Sequence, residues 1–173
     1  PGSGKSFVVR KTTGGLGMKI VNSDTAFDKL LKDADFSLDF RDMSPEKTLE
    51  RDKIRKRAKE VTAKMQSNFV AGRLGMIIDG TGAEYGKIEK QVKMLQQLGY
   101  DTHMIFVNTS LETAIKRNNE RDRKLPLDIV KTYWNNVQSN IGKFQRLFGR
   151  RNFIVIDNNC LLYTSDAADD LLC

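Results

Sequence analysis

Apolar and polar residues fall along this chain in two alternating patterns, short apolar runs and longer helical periodicities. Lys5 to Thr13 reads as a short helix stopped by Gly14-Gly15, and Met18 to Val21 as a strand running into Asn22-Ser23-Asp24. A weaker helical pattern spans about Thr25 to Leu31, and residues 33–44 are polar and irregular, with Phe36, Leu38 and Phe40 alternating. The longest helical pattern has Ser44 as N-cap and Pro45 at its first position. Its Leu49, Ile54, Ala58, Val61, Met65 and Phe69 recur at steps that keep one face, and Gly72 ends it. Gly75 to Ile78 is a strand of the buried type, Ala83 to Leu98 a helix closed by Gly99, and Thr102 to Val107 another strand. Ser110 caps a helix running to about Glu120, and a charged stretch from Arg117 to Lys124 is closed by Pro126. Leu127 to Phe148 is helical up to Gly149, and Asn152 to Ile156 is a last strand. Strands alternating with helices predict an α/β fold with a mainly parallel sheet flanked by helices.

Composition narrows the class. A chain of 173 residues, 39% hydrophobic and 29% charged, suits one packed domain and argues against disorder. The longest apolar runs, such as Met104 to Val107, fall far short of the roughly 20 residues of a membrane span, so no membrane partner is expected. The opening residues lack the order of a secretory signal, and a cytoplasmic location is expected. Cys160 and Cys173 do not make a disulfide framework. The segment from Cys160 to Asp170 resembles a translated sequencing adapter, so residues 160–173 are expected to be a scar and residues 1–159 the domain. The net charge of +7 suits an anionic partner such as a nucleotide or nucleic acid, and suits a solvated basic surface equally well.

Candidate chemistry begins at Pro1-Gly2-Ser3-Gly4-Lys5-Ser6, which matches the last six positions of the Walker A phosphate loop. Glycines let backbone amides turn inward around phosphate oxygens. Lys5 would reach the terminal phosphates, the Ser6 hydroxyl would hold Mg²⁺, and the following helix would add its N-terminal dipole. Gly2, Ser3, Gly4, Lys5 and Ser6 are therefore the expected ATP-binding residues. Asp79 ends an apolar strand, Ile77-Ile78-Asp79, in the manner of a Walker B carboxylate and is a second expected Mg²⁺ ligand; a simple Asp-Gly turn is the competing reading.

With Asn22 to Asp24 and Arg117 to Pro126 added, most of residues 1–157 resembles the small P-loop kinases that include phage polynucleotide 5′-hydroxyl kinase and the zeta-toxin group. The resemblance implies a P-loop kinase fold whose first central strand, between the strands at 75–78 and 103–107, precedes this chain. It implies that Asp24 accepts the proton of the attacking hydroxyl, against the plainer reading of Asp24 as a helix cap. It makes residues 117–126 a lid, with Arg117 and Arg121 on one helix face clamping phosphoryl oxygens and Arg123 joining on closure. Gly80-Thr81-Gly82 departs from the polynucleotide kinase pattern and stands nearer the zeta-toxin form.

The expected function is transfer of the γ-phosphate of ATP to a hydroxyl. A nucleic-acid 5′ end is the favoured acceptor, and a nucleotide-sugar or other small metabolite the alternative. A P-loop module that binds ATP without phosphotransfer is the reading from a different class. His103 and the aromatics Tyr133, Trp134, Phe144 and Phe148 are expected to pack. Lys53, Arg55, Lys56, Arg57, Lys59 and Lys64 form a basic stretch whose default is a solvated face.

Overall fold

A computed structural model describes residues 2–13 and 16–159. The order is α1 (Lys5–Thr13), β1 (Lys19–Val21), α2 (Ser23–Asp33), α3 (Pro45–Ala71), β2 (Met76–Ile78), α4 (Tyr85–Gln97), β3 (Met104–Asn108), α5 (Leu111–Glu120), α6 (Leu127–Phe148) and β4 (Phe153–Asp157). The chain is α/β, as its periodicities predict. The Gly14-Gly15 stop and residues 160–173 lie outside the described residues.

Helix ends follow local chemistry. The Ser44 and Ser110 hydroxyls accept the backbone N–H groups of Lys47 and Thr113, satisfying first-turn amides that have no partner within the helix. Helix α2 starts earlier than its apolar pattern predicts. Asn22, in extended backbone, accepts the Asp24 N–H at 2.7 Å and is the N-cap. Asp24 is therefore a first-turn residue and not the cap.

All strand pairing is parallel, but the strands form two sheets of two. Strand β1 pairs with β2 in the register Lys19–Met76, Ile20–Ile77 and Val21–Ile78, and β3 pairs with β4 from Met104–Phe153 to Asn108–Asp157. Among the described residues no ladder joins β2 to β3. This corrects the expectation of a buried strand at 75–78: β2 is half-buried at best, and Ile78 is exposed. A strand paired on one side only keeps much of its surface open. Ile105 and Ile154, neighbours in register, are likewise exposed.

The largest buried cluster lies where α2 crosses α3. It holds Phe27, Leu31, Phe40 and Ala58, with Leu38, Met43, Ile54 and Leu125 packed around them. The long helix does not bury the single apolar face its spacing predicts, since Leu49 and Val61 point to solvent and Ala58 and Thr62 are its buried residues. The irregular stretch 33–44 is tied down. The Phe40 N–H donates to the Lys124 carbonyl, and the Lys124 N–H to that of Leu38. The two sheets meet through α6. Trp134 Nε1 donates to the Thr109 carbonyl beyond β3, and Asn140 Nδ2 donates to the Gly82 and Ala83 carbonyls beyond β2.

Candidate active site

Residues Gly2 to Gly4 lead straight into α1, where the Gly4 carbonyl accepts the Phe7 and Val8 N–H groups and the amides before them point out of the helix start. Gly2 and Gly4 take φ of +74° and +77°, which only glycine adopts without strain. Space demands glycine as well. A Cβ on Gly2 would lie 2.4 Å from the Ala114 carbonyl oxygen, and one on Gly4 would lie 2.2 Å from Asn158 Nδ2. Helix α5 and the residue after β4 thus press on the loop from behind. Asn158 Nδ2 donates to the Ser3 carbonyl at 2.7 Å, and Asn158 is buried.

The carboxylates stand at strand ends and helix starts. Asp79 follows β2, and its Oδ2 accepts a hydrogen bond from Asn22 Nδ2 at 2.9 Å. Burial pushes the Asp79 carboxyl up, Lys5 opposes this, and the nearby charge of Asp24 adds to it. Lys5, at the start of α1, and Asp24, in the first turn of α2, therefore both act on Asp79. Asp24 Oδ1 is 2.7 Å from Arg55 Nη1, and its Oδ2 is 3.2 Å from Arg123 Nη2. Burial alone would raise the Asp24 pKa, but the guanidiniums of Arg123 and Arg55 outweigh it and hold the carboxyl below its ordinary 3.8. Arg123 also binds Asp28, one helical turn on, at 2.8 Å.

The segment 117–126 does not put its arginines on one helix face. Helix α5 ends at Glu120, and Arg121 has extended backbone, so the spacing of four no longer aligns it with Arg117. Arg117 Nη1 instead donates to the Asn158 carbonyl at 2.8 Å, behind the phosphate loop. Arg121 Nη2 donates to Asn118 Oδ1, and its buried Nε has no hydrogen-bond partner among the described residues. Burial and Arg123 lower the Arg121 pKa, while Asp24 and Asp28 raise it. Asn118 is fully buried and also bonds the Leu125 N–H and carbonyl, which clamps the loop between Arg121 and Leu125.

The family follows from comparison. A family model described as an AAA domain matches residues 1–142. The chain belongs to this AAA domain family. The family is P-loop NTPase-like and includes kinases, so the chain has a P-loop NTPase fold and a nucleotide-binding character. No curated protein matches the chain. Within this AAA domain the match covers the phosphate loop, Asp24, Asp79 and residues 117–126.

The donor set suits a hard cation held mainly by phosphate. Ser6 offers a hydroxyl and Asp79 one carboxylate, with Asn22 orienting the latter. Among the described residues no three His, Cys, Asp or Glu side chains form a metal cage. Magnesium uses one or two carboxylates with phosphate oxygens and water, so these residues fit it. Sequence reasoning did not single out Arg55, Asp28 or Asn158. Arg55 was hidden in a basic run with nothing to mark it from its neighbours. His103 sits just before β3 and is exposed, outside the strand expected to hold it. No helix among the described residues is long and apolar enough to cross a membrane.

Proposed function

We propose that this AAA domain is an ATP-dependent phosphotransferase acting on a hydroxyl group, with a polynucleotide 5′-hydroxyl as the favoured acceptor. The observation that carries this reading is a carboxylate, Asp24, kept ionised by Arg123 and Arg55, with its charge felt at Asp79 and Arg121. A module that only binds ATP has no use for such a base. Lys5 and the opening amides of α1 receive the ATP phosphates. Ser6 and Asp79 would hold Mg²⁺, which would supply positive charge to offset that of the phosphates. The acceptor proton passes to Asp24 as the hydroxyl oxygen bonds the γ-phosphorus. The bond from that phosphorus to ADP breaks, and its electron pair leaves on ADP. Arg121 and Arg123 offset charge on the transferring group, and Arg117 supports the loop through Asn158.

The basic surface of α3, where Lys53, Lys56, Arg57, Lys59 and Lys64 are exposed, supports a polynucleotide acceptor. The order Asp79-Gly80-Thr81, nearer the zeta-toxin form, favours a nucleotide-sugar as the second reading. Labelled ATP incubated with 5′-hydroxyl oligonucleotides and with sugar nucleotides separates the two. Label appearing on neither, with ATP still bound, would leave another small metabolite as acceptor or the binding module. The open edges of β2 and β3, with exposed Ile78 and Ile105, also support one further parallel strand lying between them.

A further inference from the structure

Arg55 has no role in any of the steps above, yet it makes the shorter of the two ion pairs of Asp24. It rises from the middle of α3, the longest helix, and its guanidinium lies over the Phe27 ring at 4.8 Å. Phe27 is a member of the buried cluster where α2 meets α3, so the platform under Arg55 is fixed. Nη1 reaches both the Ser23 carbonyl, at 3.4 Å, and Asp24 Oδ1, at 2.7 Å. Of the basic run Lys53 to Lys59, it is the member turned inward, its flanking Lys56 and Arg57 being exposed. Arg123 holds the other oxygen, Oδ2, at the longer distance of 3.2 Å, and it does so from the loop after α5 while also bound to Asp28.

A general base needs one free oxygen aimed at the acceptor and a fixed orientation for the rest of the group. With an arginine on each oxygen, withdrawal of one of them opens an oxygen to the acceptor. Arg55 is held from α3 against the Ser23 carbonyl and the Phe27 ring of α2; Arg123 also lies over Phe27, at 5.7 Å, but it sits on a connecting segment and keeps Asp28 as an alternative partner. We propose that Arg55 is the positioning residue of Asp24, fixing Oδ1 so that Oδ2, once Arg123 lets go, faces the acceptor hydroxyl. This rests on the kinase reading of the site. The charged groups facing Asp24 are Arg55 from α3, Arg121 and Arg123 from the loop after α5, Asp28 from α2 and Asp79 from the end of β2.

The test compares Arg55→Ala and Arg55→Lys with Arg51→Ala, an arginine one turn earlier on α3 that pairs with Asp52 and lies over Phe40. Phosphotransfer is followed across pH, and ATP binding by calorimetry. Arg55→Ala is expected to lower kcat at least about tenfold while ATP Kd stays within about twofold, and to move the acid limb of kcat upward, because Asp24 loses a cation. Arg55→Lys, which keeps the charge without the planar fork, is expected to restore the limb and part of kcat. Arg51→Ala is expected to match wild type. Unchanged kcat in Arg55→Ala overturns the proposal. So does a loss of kcat with an unmoved acid limb and no recovery in Arg55→Lys, which would mark Arg55 as packing alone. Wild-type protein that binds ATP but transfers no phosphate overturns the kinase reading itself, and this inference with it.

Discussion

Asp24 carries the most information of any single residue, because its neighbours decide its charge. Asp24→Asn is expected to abolish phosphotransfer while leaving ATP binding in place, as measured by calorimetry beside the labelled-ATP assay. The same change tests the ion pairs. The folded pKa lies below the ordinary 3.8, so the stabilisation from Asp24 is complete above the unfolded value and lost as pH falls through the folded one. The stability gap between wild type and Asp24→Asn should therefore be constant near neutrality and close below about pH 4 in urea melts at stepped pH. Lys5→Ala removes the charge that meets the terminal phosphates. It is expected to cut phosphotransfer at least about tenfold, about 1.4 kcal/mol of barrier per tenfold. Gly4→Ala sets a Cβ against Asn158 at a positive φ, so it should weaken ATP binding even though it alters no charge.

At the scale of elements, the loop after α5 is held by buried polar contacts more than by apolar ones. Asn118 bonds Arg121 on one side and Leu125 on the other, and Asp39 bridges to Lys124. Helix α5 begins at the Ser110 cap, whose own N–H donates to Asn159 Oδ1 at 2.6 Å. Ser110→Ala is expected to cost about 1 kcal/mol of stability in denaturant melts. Because α5 feeds Arg117 towards Asn158 and leads into the loop bearing Arg121 and Arg123, that loss should come with a lower kcat. The helix ends were legible in sequence at Ser44, Pro45, Gly72, Ser110 and Gly149, where one residue settles the backbone. The face of α3 was not legible. Which side of a helix is buried depends on what packs against it, and Phe27 and Leu31 of α2 pack with Ala58 while Leu49 and Val61 stay exposed.

For the whole molecule, two open sheets and one helix that joins them set the stability. Helix α6 packs the fully buried Phe144 against Tyr85 of α4, the rings 5.5 Å apart. Phe144→Ala is expected to cost about 3–5 kcal/mol, a large share of an ordinary domain's stability, and to loosen the two sheets together in thermal melts. Among the described residues the second edges of β2 and β3 have no strand partner, and Ile78 and Ile105 are exposed there. An apolar strand supplied before Gly2 should raise the melting temperature and solubility of residues 1–159. No rise on adding that strand would mean that β2 and β3 do not flank a common partner.

Local chemistry was enough to determine the α/β alternation, the phosphate loop and the separate candidates Lys5, Asp24 and Asp79. Glycines at positive φ, helix caps and the Gly-Lys-Ser order act over a few residues and are readable as such. Tertiary structure alone decided which charges meet. Arg117 and Arg121 part because α5 stops at Glu120, and Arg123 rather than either of them forms an ion pair with Asp24. Arg55, distant in sequence, closes on the same carboxylate because α3 crosses α2 over Phe27. Side-chain pairing of this kind depends on where helices cross, and that is fixed by the packing of the buried cluster rather than by any spacing along the chain.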